Sequence, residues 1–143
     1  MSKTAIIYWS GTGNTEAMAA AVLEGAKEVN SDVGFFTVSE ITSDKAAEYD
    51  TLILGCPAMG SEVLEESEFE PFFTELEGKL NGKKVALFGS YGWGDGEWMR
   101  SWEERVIASG AALVGGEGLI VNEAPDDDAL EQCKKLGSDA ANA

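Results

Sequence analysis

Three short segments hold residues whose types and spacing could do chemistry. The first is Ser10-Gly11-Thr12-Gly13-Asn14-Thr15, which joins an apolar run to a helical pattern. Hydroxyl donors, exposed backbone N–H groups and the positive end of a helix together make an anion site. The glycines let the backbone curl closely around a phosphate. A plain strand-to-helix turn with a Thr or Asn cap would use the same residues without any ligand. Two other phosphate loops are excluded. No Gly-Lys-Ser/Thr follows, as a P-loop requires. Glu16 stands where the dinucleotide pattern G-x-G-x-x-G needs its third glycine, and a carboxylate there would oppose a pyrophosphate. The nearest cation in sequence is Lys3, at the far end of the apolar run, so neutral donors would have to hold the phosphate.

The second segment is Cys56-Pro57-Ala58-Met59-Gly60-Ser61-Glu62-Val63-Leu64, and the third is Ser90-Tyr91-Gly92-Trp93-Gly94-Asp95-Gly96. Each sets a large polarisable side chain beside glycine, Met59 in one and Trp93 in the other. A flat aromatic ligand could be clamped between them. Met59 alone fits ordinary core packing equally well. Trp93 fits it less well, because Gly92, Gly94 and Gly96 offer no side-chain bulk to bury an indole.

Much other chemistry is excluded. The chain has no histidine, which removes the commonest general base, the commonest zinc-binding nitrogen and every imidazole triad. Cys56 and Cys133 form no C-x-x-C pair and read as small buried hydrophobes in a reducing compartment. With 10 Lys and Arg against 26 Asp and Glu, the formal charge of −16 argues against nucleic acid and anionic membrane surfaces as partners. No run approaches the ~18 apolar residues of a membrane span. Met1-Ser2-Lys3-Thr4 leads straight into a strand pattern without a signal-peptide profile, so a cytoplasmic location is expected.

The elements that must position these segments alternate regularly. Short apolar runs at 4–9, 33–38, 51–56 and 85–90 read as strands, with a fifth inside 113–121 weakened by Gly115, Gly116 and Gly118. Helical spacing appears over 15–29, through Phe69, Phe72, Phe73, Leu76 and Leu80, through Met99, Trp102 and Val106, and from Ala129 to Ala140. Asp126 to Asp128 would sit favourably at the start of the last helix. Continuous apolar strands mean burial on both faces, hence an α/β, doubly wound parallel sheet of five strands in the order 2-1-3-4-5 with helices on both faces. The 143 residues suit one domain spanning 1–143. Ligands of such sheets bind beyond the carboxyl ends of the strands at the switch point, here between strands 1 and 3.

Ser10-x-Thr12-Gly13-x-Thr15 matches the flavodoxin signature [ST]-x-T-G-x-T, and Met59-Gly60-Ser61-Glu62 and Ser90-Tyr91-Gly92-Trp93-Gly94-Asp95 resemble the two flavin loops of short-chain bacterial flavodoxins. The resemblance covers essentially the whole chain. It implies a flavodoxin-like fold and a low-potential one-electron carrier that uses non-covalent FMN and shuttles between semiquinone and hydroquinone. By the same resemblance Ser10, Thr12, Asn14 and Thr15, with their backbone amides, would hold the phosphate, and Gly11 and Gly13 would belong to the same binding loop. Met59 would lie on the inner face of the ring and Trp93 on the outer. Glu62 would accept from the flavin N3–H, and the Gly60–Ser61 peptide would turn its carbonyl toward N5 on reduction. Ser90, Tyr91, Gly92 and Asn122 would line the ribityl chain and pyrimidine edge, with Pro57, Ala58 and Gly94 completing the loops. Pro57 and Ser61 depart from some relatives, which carry a hydroxyl residue and Asp there. Partners would be redox proteins with basic patches, such as flavodoxin or ferredoxin reductases, met transiently by a monomer.

Other functions on this fold are disfavoured. An FMN-dependent NAD(P)H:quinone reductase would need its own substrate cavity and cations beside the flavin loops. A phospho-acceptor domain would need acids where Trp9-Ser10 and Cys56-Pro57 stand. A Cys-x5-Arg phosphatase fails because Glu62 occupies the arginine position. The acidic charge is concentrated. Seven glutamates fall within 62–77 without one cation between them, which would depress the potential and steer basic partners.

Overall fold

The computed structural model describes residues 3–11, 13–30, 32–59, 63–92 and 94–143. Strand β1 (Thr4–Tyr8) leads to helix α1 (Asn14–Val29), and β2 (Val33–Thr37) is followed by a 3-10 turn and the short α2 (Ser43–Ala46). Then come β3 (Thr51–Gly55), α3 (Phe69–Glu77), β4 (Lys84–Tyr91) and α4 (Glu97–Ala108). The chain continues through β5 (Ala112–Leu113), β6 (Leu119–Asn122) and α5 (Asp127–Ala141). Every described strand pair is parallel, and the strand order β2-β1-β3-β4-β5 is the expected one.

The fifth sheet position is shared by two segments. β5 pairs with the start of β4 and β6 with its end, Phe88 to Tyr91 lying opposite Leu119 to Asn122. A 3-10 turn at Val114–Gly116 separates them, with Gly115 and Gly116 at φ 78° and 80°. That backbone region is left-handed and cannot continue a strand. The glycines that weaken the strand pattern therefore break it, and both pieces return to β4.

Alternation along the strands sorts two apolar layers. Ala5, Ile7, Leu52, Leu54, Val85 and Leu87 face α3 and α4, where Phe69, Phe73, Trp98 and Trp102 are fully buried. Trp102 stands edge-on to Phe69 and Phe73, with centroids 5.4 and 6.0 Å away, in pairs worth about 0.5–1.5 kcal/mol beyond their burial. Ile6, Tyr8, Ile53, Ala86 and Phe88 face the other layer, filled by Met18, Val22 and Ala26 of α1 and Cys133 and Ala140 of α5. Both cysteines are free thiols and buried. Burial pushes the Cys133 thiol up to about 11 and Cys56 further, so neither ionises readily. In the second layer α1 and α5 nearly touch. A Cβ on Gly25 would lie 1.9 Å from the Lys134 carbonyl oxygen, and one on Gly137 would lie 2.0 Å from that of Val22.

Candidate functional site

The carboxyl ends of β1, β3 and β4 open into a cleft of about 510 Å³. One side is the turn into α1. Beyond β1, the Trp9 N–H donates to the Gly55 carbonyl at 3.0 Å, so the chain leaves from between the two central strands. Ser10 Oγ then accepts from the backbone N–H groups of Gly13 and Glu16, both at 3.2 Å, and folds the loop over the start of the helix. Gly13 caps α1 at φ 97°, a conformation that L side chains resist. Thr15, in the first helical turn, is 1% exposed, and its Oγ1 has no hydrogen-bond partner among the described residues. Leaving a buried hydroxyl unpaired costs about 1–3 kcal/mol, which an anion at this helix end would offset.

The opposite wall follows β3. Cys56 N–H donates to the Phe88 carbonyl at 3.1 Å and Ala58 N–H to that of Ser90 at 3.0 Å, carrying Pro57, Ala58 and Met59 along the end of β4. The Met59 N–H donates to the Val63 carbonyl at 3.0 Å. On the far side Ser90 Oγ donates to the Glu123 carbonyl at 2.9 Å, and the Glu123 N–H to that of Tyr91 at 2.7 Å. The Asn122 amide donates to the carbonyls of Tyr91 and Gly92 at 3.3 and 3.4 Å, so this side chain braces the loop backbone.

Of the sequence-predicted residues, Gly11, Asn14, Pro57, Ala58, Met59, Ser90, Tyr91 and Gly92 line the one cleft. Ser10, Gly13, Thr15 and Asn122 do not line it, but each is next in sequence to a residue that does, and Gly94 turns the following loop at φ 90°. Thr12, Gly60, Ser61, Glu62 and Trp93 lie outside the described residues. Two cleft residues were missed by sequence reasoning, Trp9 and Glu123. Trp9 is the first residue beyond β1, and its Nε1 donates to Glu68 Oε1 at 3.1 Å. Glu123 is the first beyond β6 and adopts φ 58°. Position immediately after a strand end was the usable signal for both.

The acidic stretch is partly compensated. Arg105, reaching across from α4, donates to Glu70 at 2.8 and 2.9 Å and to Glu77 at 3.0 and 3.1 Å. Its guanidinium holds the Glu70 carboxyl below the ordinary value of 4.5. Burial alone would push the Glu65 carboxyl up, but hydrogen bonds from Ser67, Phe69 and Glu68 outweigh it and leave it lowered too. The stretch without a cation in sequence is therefore not without one in space, and the uncompensated charge is smaller than the seven glutamates suggest.

A lowered folded-state value makes a carboxylate stabilising above the ordinary value, and that stability is lost as pH falls through the lowered one. Glu70→Gln removes the contribution at every pH. The stability gap between the unaltered chain and Glu70→Gln is thus expected to be constant from pH 7 to about 5 and to close below about 4.5. Urea midpoints of both proteins across that range test it. A gap that widened on acidification would contradict the pairing.

The family model for flavodoxin matches residues 6–137. The chain belongs to the flavodoxin family. It is 53% identical over 138 residues to the flavodoxin of Megasphaera elsdenii, covering 96% of this chain and 98% of that one. It is also 53% identical over 137 residues to the flavodoxin of Clostridium beijerinckii, with the same coverages. The solution structure of two-electron reduced Megasphaera elsdenii flavodoxin superposes with a TM-score of 0.88 at 52% identity, covering 98% of this chain and 99% of that one. A flavodoxin from the domain Archaea gives 0.87 at 31% identity, covering 98% and 96%. The family's cofactor is FMN, and its work is low-potential electron transfer between redox partners rather than catalysis.

Proposed function

We propose that residues 1–143 form a single domain that holds FMN in the cleft between β1, β3 and β4 and carries single electrons between redox partners. The observation that carries this reading is the buried hydroxyl of Thr15, without a partner among the described residues, at the start of a helix whose loop opens into a cleft lined by Trp9, Met59 and Tyr91. An aromatic, mostly apolar cleft of about 510 Å³ with a few polar groups in its walls lies within the ordinary range for a cofactor site. When bound, FMN supplies the redox chemistry. The chain's own residues bind, orient and shield it.

Ser10, Asn14 and Thr15, with the backbone N–H groups of Gly11, Asn14 and Thr15, would hold the phosphate without a cation. Met59 would cover one ring face and exclude water there. Ser90, Tyr91 and Gly92 would line the sugar chain and ring edge, with Asn122 bracing their backbone. The roles of Thr12, Gly60, Ser61, Glu62 and Trp93 rest on their match to the family's motifs. Glu123, exposed at the cleft wall, opposes the arrival of further negative charge. The lower of the two one-electron couples is therefore expected below that of free FMN. Glu123→Gln should raise it by a few tens of millivolts, about what one charge contributes across a water-exposed cleft. A potentiometric titration reads both, and a lower couple at or above the free-flavin value would refute the electrostatic account.

Acidic surfaces attract basic ones, so the partners would be redox proteins with basic patches around their own cofactors, met in small, salt-sensitive encounters by a cytoplasmic monomer. Among the described residues no helix is long and apolar enough to cross a membrane. The decisive experiment is an absorption spectrum of the purified protein after addition of FMN and gel filtration. Retained flavin bands would support the reading, and a colourless protein would overturn it.

A further inference from the structure

Glu65 is the one charged side chain that is buried among the described residues, at 5% exposure. A carboxylate out of water is costly unless its oxygens are filled with donors. Here they are filled. Oε2 accepts from the Ser67 N–H at 2.9 Å and from the Ser67 hydroxyl, and Oε1 accepts from the N–H groups of Glu68 and Phe69 at 2.8 and 2.9 Å. These are the orphan donors at the start of α3, whose own N-cap, Glu68, makes no side-chain cap. The rest of residue 65 is tied as well. Its N–H donates to Cys56 Sγ at 3.4 Å, and its carbonyl accepts from the Glu70 N–H at 2.8 Å.

Cys56 and Glu65 are the two feet of the segment that carries Met59. The first foot is fixed to β4 through the Cys56 N–H and the Phe88 carbonyl. The second is fixed by Glu65. We propose that Glu65 is a positioning residue for the FMN cleft: its carboxylate anchors residues 63–65, the Val63 carbonyl holds the Met59 N–H, and together they set the wall formed by Pro57, Ala58 and Met59. The proposal rests on the FMN reading of that cleft. It separates Glu65 from the other glutamates nearby, since its charge is spent on backbone donors. Its effect on the cofactor is therefore steric and insensitive to salt.

The test compares the unaltered chain, Glu65→Gln, Ser67→Ala and Thr42→Ala. Gln keeps the shape but sets an NH2 group against N–H donors. Thr42→Ala removes a cap of similar kind, Thr42 Oγ1 accepting from Lys45 N–H at 3.2 Å, on a helix that does not line the cleft. FMN dissociation constants are read by flavin fluorescence quenching at low and high salt, on proteins shown to be folded by circular dichroism. Glu65→Gln is expected to bind FMN at least tenfold more weakly at both salt concentrations, and Thr42→Ala within twofold of the unaltered chain. Ser67→Ala, which keeps the charge and loses one donor, should fall between them and carries the test if Glu65→Gln does not fold. Binding by Glu65→Gln within twofold of the unaltered chain would overturn the proposal. A loss that disappeared at high salt would also overturn it, by showing that the charge acts through space. Failure of the unaltered chain to bind FMN is a separate result, which removes the cleft reading and this proposal with it.

Discussion

Replacing Thr15 with valine is expected to weaken FMN binding by roughly 10- to 100-fold while leaving the flavin-free protein no less stable. The two halves of that expectation have one cause. The Thr15 hydroxyl is buried and has no partner among the described residues, so the flavin-free fold carries an unsatisfied donor. Valine of nearly the same outline removes that unfavourable group, and stability should be unchanged or slightly higher. In the complex the hydroxyl would meet a phosphate oxygen, and a hydrogen bond to a charged group contributes about 1.5–3 kcal/mol, which is the quoted range of affinity. The opposite signs distinguish a ligand-directed hydroxyl from one that merely packs. A variant that lost stability and kept its FMN affinity would show that Thr15 belongs to the core and not to the phosphate site. Thermal unfolding of the flavin-free protein and FMN titration measure the two halves separately.

The strands and the turn from β1 into α1 were legible because their signals are local. β1, β3 and β4 are short, apolar and buried on both faces, and the loop's glycines and hydroxyls follow directly from β1. What escaped depends on neighbours distant in sequence. α2 is four residues long, too short for any periodicity, and is held by the Thr42 cap. The fifth strand's two halves are separated by residues at positive φ, and only pairing with β4 shows that they share a sheet position. Trp9 and Glu123 reach the cleft because sheet order puts the ends of β1 and β6 on either side of β4 and its loop, which no local pattern encodes. The acidic stretch looked bare because Arg105 lies 28 residues beyond Glu77 along the chain yet directly beside it in space.

The contact least visible in the sequence is also the one where a single methyl group should do most damage. Gly137→Ala is expected to destabilise the protein by about 2–4 kcal/mol, lowering its melting temperature by roughly 5–15 °C. The added Cβ would lie 2.0 Å from the Val22 carbonyl oxygen and 2.9 Å from the Ala26 nitrogen. Both are main-chain atoms of a helix and cannot rotate away as a side chain would, so α1 and α5 must separate along their contact. Overpacking of cores typically costs 1–3 kcal/mol, and a clash with rigid backbone belongs at or above the top of that range. The better helix propensity of alanine returns only about 0.5–1 kcal/mol. Gly78→Ala makes the same chemical change where a Cβ would meet nothing within 4 Å and φ is already −74°. That variant should be neutral or more stable by up to about 1 kcal/mol, because it loses only unfolded-state freedom. The pair isolates helix contact from residue type. If Gly137→Ala melted with the unaltered chain, α1 and α5 would not meet through these glycines, and the layer behind the sheet would have to be packed some other way.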